Sequence, residues 1–150
     1  MGLKNALRTG LVGILAIIVA AAAVLPCAAD GFPSCPLVPT GVSVSTRLDD
    51  APPSLVRALT ERIGEIAPAG APIDVTDLVR IGKNRRLIFI WSKESRWIVA
   101  TEHGGRVWNY PVFAFDIDRD QNVILVRTEA AAVNTVCATA SSLLVIGERP

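Results

Sequence analysis

The chain is poor in the residues that most often carry chemistry. Its 150 residues include one His, three Cys and one Tyr. A lone imidazole with cysteines that do not form C-x-x-C cannot assemble an ordinary Cys/His zinc set. No G-x-S-x-G nucleophile turn and no phosphate-cradling glycine motif occurs, so no cofactor is implied. Charge of one sign is also missing: 15 Lys and Arg face 14 Asp and Glu, a formal charge of +1. Nucleic-acid binding needs a basic stripe, and its absence excludes that class of partner.

What is present begins with a leader. Lys4 and Arg8 precede the uncharged run Leu11–Leu25, which Pro26 ends before Cys27-Ala28-Ala29 and Asp30. A basic start, an apolar middle and small residues before a polar beginning are the layout of a secretory signal peptide over residues 1–29. The run is short of the ~20 apolar residues that a membrane span needs. The alternative is an uncleaved anchor in the inner membrane, with the domain outside the cytoplasm and Lys4 and Arg8 inside. Cys27 follows Pro26, where a lipoprotein signal carries a small residue. Without Lys4 and Arg8 the remainder holds 13 basic and 14 acidic residues, near-neutral and of mixed sign. About 120 residues are one domain's worth of chain.

Export changes how the cysteines are read. Cleavage leaves Cys35 and Cys137, and in an oxidising compartment two remaining thiols most simply pair. Such a bridge closes a loop of about a hundred residues and is worth up to ~4 to 5 kcal/mol on the chain-entropy account.

The mature chain divides by its periodicity. Residues 30–48, broken by Pro33, Pro36, Pro39 and Gly41, form an extended arm, with Val42 to Thr46 able to add a short edge strand. Residues 49–150 form one α+β domain. Asp49-Asp50-Ala51-Pro52-Pro53-Ser54 opens a helix whose apolar positions Leu55, Leu59, Ile63 and Ile66 share a face and which ends before Pro68. Four strands follow as an antiparallel meander: Arg86 to Trp91, Arg96 to Thr101, Tyr110 to Ile117 and Val123 to Thr128. Across the first turn Trp91 pairs with Trp97, Phe89 with Val99 and Leu87 with Thr101, all on one face. Asn134 or Thr135 then caps a second amphipathic helix carrying Val136, Cys137, Ala140, Leu143 and Leu144, with Gly147 as its stop. The architecture expected is a four-stranded meander flanked by an N-terminal and a C-terminal helix.

The segment Leu87–Ile117 holds all three Trp, the Tyr, the His and all but one of the Phe residues. Alternate aromatics on consecutive strands are what a covered sheet needs in its core. The connector Glu102-His-Gly-Gly-Arg-Val-Trp-Asn109 fits that account least. Glu102, His103, Arg106, Trp108, Asn109 and Tyr110 gather where two strands turn over, and aromatics beside Arg and Asn suit recognition. Whether Trp108 meets a partner or folds back on the sheet edge is left open by the pattern.

The reading is therefore an exported bacterial envelope or secreted binding module, periplasmic or outside the cell, that meets a protein or small ligand with Gly104–Tyr110. It touches a membrane only through an uncleaved leader, in which case it is a tethered accessory subunit. The enzymatic alternative is a small hydrolase-like protein with His103 as general acid or base. Asp118, Asp120, Asn122 and Glu129 follow calcium-loop spacing, but Val123 stands where the turn needs Gly and begins a strand, so a polar hairpin turn is expected.

Overall fold

The computed structural model describes residues 33–74 and 83–146; the leader and Gly147 lie outside the described residues. The elements are β1 (Ser43–Ser45), a single 3-10 turn (Leu48–Asp50), α1 (Pro53–Ile63), β2 (Arg85–Lys93), β3 (Arg96–His103), β4 (Tyr110–Ile117), β5 (Val123–Ala131) and α2 (Val136–Val145). The strands make one antiparallel sheet in the order β1-β2-β3-β4-β5. It has five strands rather than the expected four, because the arm contributes β1 against Ile90–Ser92 of β2.

α1 starts at Pro53, where a missing N–H costs nothing, and buries Leu55 and Leu59, one turn apart. It stops earlier than the spacing predicts. Gly64 takes φ of +80°, a left-handed conformation that favours glycine, and its N–H closes the helix on the Thr60 carbonyl at 2.8 Å. Ile66 is therefore not helical, although it reaches the same core. α2 begins after Thr135, whose carbonyl accepts the first helical bond from Thr139. The Thr135 hydroxyl does not cap a helix N–H; it accepts from Ala132 N at 3.0 Å and so shapes the turn leaving β5.

Pairing of β2 with β3 departs from the expected register. Leu87 faces Thr101 as expected, but Phe89 faces Ala100, Trp91 faces Ile98, and Trp97 faces Ser92. A bulge between Leu87 and Phe89 inserts Ile88 as an extra residue and shifts every later pair by one. The displaced side chains then serve both faces. Ile88, Phe89 and Trp91 join Ile98, Ala100, Val112 and Ala114 under α2, against Val136, Ala140, Leu143 and Leu144. Leu87 and Ile90 join Val99, Phe113, Phe115 and Ile117 under α1, against Leu55 and Leu59.

The molecule is thus layered helix, sheet, helix, with a core on each side. Both cores take aromatics: Phe89 stacks on Trp91 with ring centroids 4.7 Å apart, and Phe113 neighbours Phe115 at 6.3 Å. Each buried Leu, Ile or Phe contributes about 1.5 to 3 kcal/mol by leaving water. Cys35 and Cys137 are bonded, with their Cα atoms 5.5 Å apart across 102 residues of sequence. The bond fastens the arm to the first turn of α2. Among the described residues no helix is long and apolar enough to cross a membrane.

Candidate functional site

Glu102 is a strand residue, not part of a loop: it is the penultimate residue of β3 and is 2% exposed. A buried carboxylate persists only when its charge is paired and its oxygens are hydrogen-bonded. Both conditions are met. Its cross-strand partner Arg86 donates Nε–H to Oε2 at 2.5 Å, and the Trp108 indole N–H donates to Oε1 at 2.8 Å. Arg86 also reaches the Ala71 carbonyl through Nη1 at 3.1 Å, which ties the stretch after α1 to the same group.

The loop that delivers Trp108 is pinched at its base. His103 and Asn109 form an isolated bridge, with His103 N–H donating to Asn109 O at 2.9 Å and Asn109 N–H to His103 O at 3.3 Å. Gly104 N–H donates to Asn84 O at 2.9 Å, and Gly105 turns the chain at φ of +110°. Between those fixings Arg106, Val107 and Trp108 stand exposed, Val107 at 71% and Trp108 at 53%. Trp108 is therefore neither core nor free surface. One edge of its indole is anchored on a buried anion and much of the ring meets solvent.

Tyr110 opens β4 beside this group. Burial raises its phenol above the ordinary value; the Glu102 charge adds to the rise, while the Trp108 N–H and Arg86 pull the other way. Glu102, Trp108 and Tyr110 are thus brought together. Arg86 belongs with them and was missed, although aligning Leu87 with Thr101 already sets Arg86 opposite Glu102.

His103 stands apart from the cluster. It follows Glu102 along β3, so its side chain takes the opposite face. Its Nε2 lies 3.4 Å from Asn84 Nδ2, an amide rather than a nucleophile. Asn109 keeps its side-chain oxygen buried without a hydrogen-bond partner and contributes mainly backbone to the bridge.

The calcium-like spacing resolves into a hairpin turn. Asp118 Oδ1 accepts the backbone N–H groups of Asp120 and Asn122, each at 2.9 Å, and Oδ2 accepts Asn122 Nδ2 at 2.9 Å. Those Asn122 bonds hold the Asp118 carboxyl below its ordinary range. Glu129 is carried off along β5, where it pairs with Arg127 at 2.7 Å. Among the described residues no three His, Cys, Asp or Glu side chains converge as a metal site.

A second Arg–carboxylate pair lies at the other end of β3, across to β4. Arg96 donates to Asp116 through Nε at 2.6 Å and Nη2 at 3.3 Å, while Nη1 donates to the Leu143 carbonyl in the last turns of α2 at 2.7 Å. Comparison of the chain with family models, curated proteins and solved structures finds no match.

Proposed function

We propose that this chain is a non-catalytic binding module of the bacterial cell envelope, periplasmic or secreted, that meets a protein or small ligand with the loop Gly104–Tyr110. The observation that carries the reading is Trp108, whose N–H is spent on buried Glu102 while its ring is left half in water. A large side chain fixed in one orientation loses little further entropy on binding, and aromatic anchors of this kind dominate interface energies. Val107 beside it adds apolar area and Arg106 a cation. The Cys35–Cys137 bond supports placement in an oxidising compartment.

The test separates recognition from stability by leaving Trp108 in place. Val107→Ser should shift the melting temperature little, since exposed positions change stability by less than about 0.5 kcal/mol. The immobilised wild-type domain should retain a stoichiometric partner from a host envelope extract, and the Val107→Ser form should lose it. Equal retention by both would remove the loop from consideration.

A further inference from the structure

The two outer edges of the sheet differ. On the β2 side, β1 covers Ile90–Ser92, and Ala67 covers the region of Arg86 through Ala67 N–H to Arg85 O at 2.8 Å and Leu87 N–H to Ala67 O at 2.9 Å. On the other side β5 runs nine residues with β4 as its sole strand neighbour among the described residues. An uncovered edge offers a row of backbone donors and acceptors to a further strand, and proteins usually blunt it with Lys, Pro or unpaired charge. Val-Ile-Leu-Val-Arg-Thr-Glu-Ala-Ala has no Lys and no Pro, and its two charges offset each other. It also leaves Ile124 and Val126 exposed.

The order of residues in β5 selects the occupant. Arg127, Thr128 and Glu129 read as opposite charges placed symmetrically about a neutral centre. When this strand lies antiparallel to a copy of itself with Thr128 facing Thr128, Arg127 stands opposite Glu129 of the second copy, and Glu129 opposite its Arg127. Val126 then faces the small, exposed Ala130. Arg127 and Glu129 already share a face within one chain, so the pairing makes an alternating group of four charges. The bulge that leaves Val126 without a β4 partner lies at one end of this stretch; Arg127–Ala131 pairs regularly with β4. We infer that β5 pairs antiparallel with β5 of a second copy about a two-fold axis at Thr128, joining two five-stranded sheets into one of ten strands. An isologous contact of this kind closes on itself and stops at two subunits.

The inference is independent of the loop's role and is tested by sedimentation equilibrium on the chain recovered from its native host. Wild type should show a concentration-dependent monomer–dimer equilibrium. Arg127→Glu and Glu129→Arg should each weaken the dimer about tenfold or more, because every substitution places like charges opposite each other twice. The double variant Arg127→Glu with Glu129→Arg restores opposite charges at both places and should dimerise again. Circular dichroism and melting curves of all three variants should match those of wild type, so that any loss of dimer is read on folded protein. A wild-type monomer at every concentration overturns the inference. So do single variants that dimerise like wild type, which would place the contact elsewhere, and a folded double variant that stays monomeric, which would exclude the register.

Discussion

Two Arg–carboxylate pairs bracket the face of the sheet that α2 covers, built from the same parts but used differently. Both are cross-strand neighbours in register, Arg96 with Asp116 and Arg86 with Glu102. At the first, the spare guanidinium donor closes on Leu143 O, so the pair fastens β3 and β4 to the end of α2. Its acid is 39% exposed. At the second, the acid is almost fully buried and its spare oxygen takes the Trp108 N–H from an exposed loop. One pair is spent on the scaffold; the other holds a surface residue in place from within. A buried charge so placed makes loop geometry part of the core's own hydrogen-bond accounting.

The comparison can be broken most strongly at Glu102. Glu102→Ala leaves the Arg86 guanidinium and the Trp108 N–H without their acceptor in a buried site and should cost about 3 to 5 kcal/mol in chemical denaturation. Asp116→Ala orphans no third group, leaves Arg96 on the Leu143 carbonyl and opens its guanidinium to water where the 39%-exposed acid stood, so it should cost less, about 1 to 2 kcal/mol. Equal losses would show that burial does not distinguish the pairs. Replacing both Cys35 and Cys137 by Ala should cost about 2 to 5 kcal/mol in the same assay, by releasing the arm from α2.

Trp108→Phe removes the N–H donor with the five-membered ring and keeps a six-membered aromatic ring, and should cost about 1 to 2 kcal/mol. A null effect would mean that the indole does not depend on Glu102. The smallest effect is spectroscopic. Tyr110 is the only tyrosine, so absorbance near 295 nm reports its ionisation alone. Its midpoint should lie above the ordinary phenol value of about 10, and Trp108→Phe should move it higher by removing a group that favours the phenolate. Because the folded state holds this proton more tightly, the stability contribution is complete below the unfolded value and is lost as pH rises through the folded one. A midpoint at or below 10 would contradict the burial of the phenol against Glu102.

Periodicity made two helices and an antiparallel sheet legible, but β1 precedes α1, so the sheet has five strands and the first helix lies between two of them rather than ahead of it. It failed where one residue changes the geometry. Leu87-Ile-Phe-Ile-Trp91 is apolar throughout, so a bulge at Ile88 leaves no trace in its pattern. The run itself was the available signal, since a strand buried on both faces reads as continuously hydrophobic. Gly64 was overlooked as a helix stop because Ile66 continued the apolar spacing. Glu102 reads as the first residue of the connector because the strand pattern stops at Thr101; its cross-strand arginine explains why it can be buried.

The Cys35–Cys137 bond has a mechanical consequence. It makes the chain between them a covalent ring that contains β1 to β5 and α1. A pull applied from the amino-terminal side passes through Cys35 directly into α2 and onward to the carboxyl end, so the sheet bears almost none of it. On the order of 350 Å of extended chain is thereby withheld from stretching. Under a pull from the amino-terminal side, the ring would shift as a unit while Trp108 and its loop kept their shape.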